Sequence, residues 1–287
     1  MRRIILCLGG ALMVLGLVLV APASAQLSTE GPVVYGHHHF YVSSIEVNKK
    51  FWVDALGGTD AGNLGPVPIA VIRFPNVQVL LSEQVPTGGT RGTSVNHVGF
   101  RAPDLRATVK KVQEAGYPVV SREDLPPAVS VDEDGLGHIA NQNTYVAFVM
   151  APDGIKVELF EDKSMSGAIA LHHVHFASPD VEAMQAWYAK AFGAIPGMRG
   201  SFQAADLPGV NLTFSGSATP VKPTRFKALD HIGFEIENLE QFCKDLEAKG
   251  IELDGEYRYA EALNLGVAFV TDPWGTRIEL TEGLGEY

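Results

Sequence analysis

Cysteine is nearly absent, with only Cys7 and Cys243 in 287 residues. Cys7 lies in an N-terminal segment that the chain is expected to lose, so an intrachain disulfide is excluded and stability must come from an apolar core. About 260 residues are enough to supply one. The chain also lacks any Lys/Arg block: 22 basic residues face 33 acidic ones, for a formal net charge of -11. The electrostatic footprint needed for nucleic acid or anionic lipid is therefore missing. The one long apolar run, Ile4 to Val20, follows Arg2 and Arg3 and ends in Ala23-Ser24-Ala25. This is the pattern of a secretory signal peptide over 1–25, cut before Gln26, with a retained membrane anchor as the alternative. A periplasmic or secreted protein with no integral span after processing is expected.

What the chain does have is internal repetition. At an offset of 136, His37, His39, Phe40, Glu46, Ala55 and Gly57 recur as His173, His175, Phe176, Glu182, Ala191 and Gly193. At 134, His97, Gly99, Phe100, Leu105 and Gly116 recur as His231, Gly233, Phe234, Leu239 and Gly250. At 121, Phe148, Pro152, Gly154, Glu158 and Leu159 recur as Phe269, Pro273, Gly275, Glu279 and Leu280. The spacing predicts a tandem duplication, with domains at 26–163 and 170–287. Each half repeats again at coarser grain. Seven residues after His37, His97, His173 and His231 stand the helix N-cap candidates Ser44, Asp104, Asp180 and Asn238. The helices that follow stop at Gly57, Gly116, Gly193 and Gly250, and short β-rich runs come next. The expected class is α+β: four modules of strand, helix and several strands.

Strand alternation sorts the side chains. Ile232, Phe234 and Ile236 share one side and must cover a helix, so His231 points away from it. By the same rule His97 lies opposite Val98 and Phe100, and His173 opposite Val174 and Phe176. Glu158, between Val157 and Leu159, and Glu279, between Ile278 and Leu280, also project from the helix-free side. Two imidazoles and a carboxylate on a concave sheet offer N,N,O ligation with open positions for substrate. One set per half is expected: His37, His97 and Glu158, then His173, His231 and Glu279. Gln78 and Asn211 are candidate weak fourth ligands, with polar groups facing solvent as the alternative. His38 is expected core-side or solvent-facing, and Cys243 is expected to pack rather than react.

Three pieces carry a resemblance: His173-Val-His-Phe-Ala-Ser-Pro-Asp180 with Trp187-Tyr188 and Phe192-Gly193, then Asp230-His231-Ile-Gly-Phe234, then Asp272-Pro-Trp-Gly-Thr-Arg-Ile-Glu-Leu280. They resemble the vicinal oxygen chelate superfamily of glyoxalase I, fosfomycin and bleomycin resistance proteins, and extradiol dioxygenases. The resemblance implies βαβββ modules paired into cupped, incomplete barrels with helices outside. It also implies a divalent metal (Ni, Co, Zn, Mn or Fe(II)) held by the same His and Glu residues. The chain departs from glyoxalase I at Gln78 and Asn211, where a Glu is usual. It departs from the dioxygenases at Phe148 and Phe269, where a catalytic Tyr is usual.

The loops rimming the cups differ between halves. The stretch from Ser121 to Asn143 is acidic, whereas the other half carries Tyr257, Arg258 and Tyr259, which with Arg199 are candidate substrate-binding residues for a carboxylate or phosphate. The functional expectation is a metal-dependent lyase or isomerase of glyoxalase type acting on a small hydroxy-carbonyl substrate. Glu279 or Glu158 would be both ligand and proton carrier, and the second half's site stands nearest the superfamily pattern. An Fe(II) ring-opening dioxygenase and a non-catalytic small-molecule binder are the alternatives. With four modules in one chain, a monomer or a homodimer satisfies the architecture.

Overall fold

The computed structural model describes residues 30–287; the expected signal peptide lies outside them. The four modules are all present. The first comprises β1 (Val33–Val42), a helical segment opening as α1 (Ile45–Lys49), β2 (Thr59–Asn63), β3 (Ile69–Phe74) and β4 (Val77–Glu83). The second comprises β5 (Val95–Ala102), α2 (Leu105–Glu114), the short α3 (Ser121–Asp124), β6 (Gly137–Ile139), β7 (Thr144–Ala151) and β8 (Ile155–Glu161). The third comprises β9 (Ala170–Ser178), α4 (Val181–Phe192), β10 (Ile195–Arg199), β11 (Phe202–Leu207) and β12 (Val210–Gly216). The fourth comprises β13 (Leu229–Ile236), α5 (Leu239–Ala248), β14 (Arg258–Ala260), β15 (Leu265–Thr271) and β16 (Arg277–Glu282). Among the described residues no helix is long and apolar enough to cross a membrane.

Local chemistry sets the helix ends. Ser44, Asp104 and Asp180 accept from the backbone N–H three residues on, satisfying an orphan donor of the first turn. Asn238 departs from expectation: it adopts a left-handed conformation, and the Glu282 carboxylate accepts from Leu239 N at 3.0 Å instead. All four stop glycines have positive φ, the conformation that lets the chain leave a helix without a Cβ clash.

The sheets do not follow the two halves of the sequence. One eight-stranded sheet runs β14-β15-β16-β13-β1-β4-β3-β2, and the other β10-β11-β12-β9-β5-β8-β7-β6. The first module thus pairs with the fourth through antiparallel β1 and β13, and the second with the third through β5 and β9. We call the resulting hollows cup A (modules one and four) and cup B (modules two and three). The junction near 164–170 separates the sequence repeats, but each folded cup draws one module from either side of it. The helices pack on the outer faces, where Phe40, Trp52, Phe100, Phe176, Tyr188, Phe214 and Phe234 belong to one continuous core.

A buried carboxyl on this outer side yields a stability prediction. Asp272 accepts from Trp274 N (2.9 Å), Thr276 N (2.7 Å) and Tyr188 Oη (3.1 Å), yet burial pushes its pKa up to about 6. The folded state therefore holds this proton more tightly than the unfolded chain does, and stability falls as pH rises through roughly 4 to 6, by up to about 3 kcal/mol. Asp272→Asn keeps an oxygen for the two backbone donors. It is expected to match or exceed wild-type stability at pH 8, with the advantage vanishing at pH 4; paired urea denaturation curves at both pH values check this.

Candidate metal centres

Two His/Glu clusters form, one in each cup. Cup A gathers His37, His39, His231 and Glu279, and cup B gathers His97, Glu158, His173 and His175; the donor atoms of each set lie within 4.8 Å of one another. This corrects the expected sets. His37 joins His231 and Glu279 rather than His97, and His173 joins His97 and Glu158 rather than His231. The ladder is the reason, because His39 stands opposite His231 and His97 opposite His175 across the strands that join different halves.

The fourth donor in each cup is His39 or His175, which sequence reasoning missed. The signal was available: each lies two residues beyond a predicted ligand, and alternation places it on the same face. Asn211 does not take this role: it donates to Asp206 Oδ1 at 2.7 Å and accepts from Thr213 Oγ1 at 2.7 Å. Gln78 is buried and donates to Leu284 O at 3.2 Å, leaving its Oε1 without a partner. His38 faces the core, where Tyr35 Oη meets its Nδ1 at 2.7 Å and burial, aided by His37, lowers its pKa to about 3.

Glycine makes room for the clusters. Gly99 stands opposite His173 in the ladder, and Gly233 opposite His37. A Cβ on Gly99 would lie 2.0 Å from His173 Cε1, and one on Gly233 would lie 1.9 Å from His37 Cε1. The recurring Gly of the His-x-Gly-Phe motif is thus the floor on which the facing module's imidazole rests.

In cup B, Nε2 of His97 and of His173 stand 2.8 and 3.1 Å from Glu158 Oε2. Their Nδ1 atoms meet Asn96 Oδ1 and His172 Nδ1, each at 3.0 Å, which aims Nε2 at the cluster. Burial lowers His97 to about 4, opposed by the Glu158 hydrogen bond, and burial likewise lowers His173 and His175. Burial pushes Glu158 up, but the His173 and His97 contacts outweigh it and hold it well below the usual carboxylate range. Neutral imidazoles beside an ionised carboxylate are the donor states a cation needs.

Unsatisfied atoms point the same way. In cup A, His37 Nε2 is 3.0 Å from Glu279 Oε2 but lacks hydrogen-bond alignment, and in cup B His175 Nδ1 is buried without a partner. Buried polar atoms left unpaired carry a desolvation cost that a shared cation would remove. The residues fit a divalent metal of borderline softness, three imidazoles and a carboxylate being its ordinary donors.

The cups differ in free space. Cup B opens into a cavity of about 550 Å³ lined by His97, His175, Glu158, Phe148, Lys156 and Arg199, among others. The acidic loop supplies Asp124, Leu125, Pro126 and Val129 to its rim. Lys156, which sequence reasoning passed over, is only 5% exposed; its Nζ lies 3.2 Å from Asp124 Oδ1 and 4.8 Å above the Phe148 ring. In cup A a second apolar cluster of Leu64, Val71, Leu80, Leu265 and Leu284 occupies the metal-side face, because Leu80 stands beside His39 in the β1–β4 ladder.

Of the four candidate substrate-binding residues, only Arg199 reaches a cluster, its Nη2 lying 3.6 Å from Glu158 Oε1. Arg258 lines a separate hollow of about 430 Å³ with Arg225, Phe269 and Arg277. Tyr257 packs against the core, and Tyr259 is exposed and bonds Asn264. Cys243 is buried, its thiol pushed up to about 11 by that burial, as expected for a packing residue.

Paired βαβββ modules cupped around His/Glu clusters able to hold a metal ion define the class of fold. The chain belongs to the Glyoxalase/Bleomycin resistance protein/Dioxygenase superfamily, whose family models match residues 36–130 and 170–280. Among solved structures it is similar to glyoxalase I from Zea mays at 14% identity and a TM-score of 0.67, covering 88% of this chain and 94% of that one. It is also similar to a putative dioxygenase from Bacillus subtilis at 13% identity and a TM-score of 0.59, covering 90% and 86%. No curated protein matches the sequence.

Proposed function

We propose that the chain is an exported, divalent-metal-dependent lyase or isomerase that acts on a small hydroxy-carbonyl compound in cup B. The observation that carries this reading is the 550 Å³ cavity that opens onto His97, His175 and Glu158, since a reacting ligand needs both donors and room. The site nearest the family pattern by sequence included His231 and Glu279, but the space lies at the other cluster. Export rests on the charged, apolar and small-residue order of 1–25.

His97, His173, His175 and Glu158 would hold the metal, which would supply Lewis acidity toward adjacent substrate oxygens. Glu158 would also carry a proton: its carboxylate is ionised and lines the cavity, while the three imidazoles keep hold of the ion. Arg199 and Lys156 place cationic groups on the same wall, where negative charge develops on an enediolate oxygen. Phe148, Phe160 and Phe202 add apolar surface to the cavity lining.

Glu158→Gln is expected to lower turnover of a hydroxy-carbonyl substrate about 100- to 10,000-fold. It should bind the cup B metal more weakly, so turnover is compared at saturating metal. Elemental analysis of the exported protein, followed by solvent-deuterium incorporation into product, measures both. Equal turnover by metal-stripped protein, or oxygen uptake with catechols and none of this exchange, would overturn the reading.

A further inference from the structure

The two clusters have the same four ligands but differently charged surroundings. In cup A, His231 Nδ1 donates to the Asp230 carboxylate at 2.7 Å. At the equivalent place in cup B, His97 Nδ1 faces the neutral amide oxygen of Asn96 at 3.0 Å. Asp230 is itself fixed by Phe226 N and by Arg277 Nη1, each at 2.7 Å, so its orientation toward His231 is set before any ligand arrives. The carboxylate ligands differ too: Glu158 has the Arg199 guanidinium 3.6 Å away, whereas among the described residues no Lys or Arg ion pair forms to Glu279. Burial does not separate the sites, since the Glu279 and Glu158 side chains are 14% and 9% exposed.

A carboxylate behind an imidazole raises that ligand's basicity and holds its tautomer, whereas a guanidinium beside a ligating carboxylate draws electron density from it. Both effects strengthen metal binding in cup A and weaken it in cup B. Access to the donors divides the same way: His97, Glu158 and His175 line the 550 Å³ cavity, whereas the 430 Å³ hollow on the cup A sheet is lined by none of the cup A donors, and Leu284, its backbone tied to Gln78 beside His37, joins the apolar cluster on that face.

Resting on the metal-site reading above, we propose that cup A is a high-affinity structural metal site and that Asp230 and Asn96 set the affinity difference between the cups. Cup A holds its ion to brace the β1–β13 seam, and cup B holds a more weakly bound and more Lewis-acidic ion that meets substrate. Asp230 and Asn96 act through the imidazoles they orient and are positioning residues.

The test uses Zn2+ alone, titrated in competition with a chelating dye. His97→Ala with His173→Ala leaves only cup A, and His37→Ala with His231→Ala leaves only cup B. The cup A protein is expected to bind about 10- to 100-fold more tightly. In the cup B background, Asn96→Asp should raise affinity by a similar factor; in the cup A background, Asp230→Asn should lower it. Equal or reversed affinities, or an Asn96→Asp protein that folds by circular dichroism and binds no better, overturn the proposal. Because the readout is binding of the ion alone, a failure here is distinct from a failure to find turnover.

Discussion

A chain carrying both His97→Ala and His173→Ala will retain one metal ion per molecule, whereas one carrying His37→Ala and His97→Ala will retain none. The first pair lies in different halves of the sequence but in one cup, and the second pair lies in one half but in different cups. If ligands were gathered by sequence half, the two outcomes would be exchanged: the first variant would lose both ions and the second only one. Truncating one ligand of such a set leaves buried polar partners unpaired as well as removing a donor, so loss from the affected cup should be close to complete. Inductively coupled plasma mass spectrometry after gel filtration reads the stoichiometry directly. Turnover should be lost in both variants, because each damages cup B.

The second large effect comes from a single methyl group. Gly99→Ala would put a Cβ 2.0 Å from Cε1 and 2.2 Å from Nδ1 of His173. The ring has little room to yield, since its Nδ1 meets His172 Nδ1 at 3.0 Å and the residue is fully buried. Overpacking of this kind costs about 1–3 kcal/mol of stability. The functional effect should be larger, because ligand geometry tolerates little displacement; turnover is expected to fall at least about 100-fold, with cup B metal lost. Gly197→Ala in the edge strand β10 is the control, because nothing lies within 4 Å of a Cβ there. Full metal occupancy in the Gly99→Ala protein would show that His173 can shift freely, against the crowded geometry described.

Much of the site was legible in the residues. Period-two alternation puts His97, His173, His231, Glu158 and Glu279 on the helix-free face, and all of them are there. The same rule extends to His39 and His175, whose importance becomes visible only when their rings meet His231 and His97 at 4.5 and 4.4 Å between centroids. The Tyr257-Arg258-Tyr259 cluster drew attention through its chemistry, but it lies on β14 and the turn before it, at the end of the cup A sheet, while the 550 Å³ cavity belongs to cup B. Lys156 drew none, because a lone lysine in an apolar strand carries no spacing signal; only the Asp124 carboxylate and the Phe148 ring explain its burial.

From the amino-acid order alone came the fourfold module, the helix boundaries, the metal-side face of each strand and the residue types able to bind a cation. These are local properties, set by backbone periodicity, capping chemistry and the sterics of glycine, and each can be read within a dozen residues. Which module pairs with which, and which cup keeps room for a substrate, were decided only by the tertiary structure. Four modules of similar strand pattern offer equivalent hydrogen-bonding edges, so their spacing along the chain does not distinguish one pairing from another. The choice is made by long-range ladders and by apolar side chains such as Leu80 and Leu284, which crowd the metal-side face of cup A, while the cup B donors open onto the larger cavity.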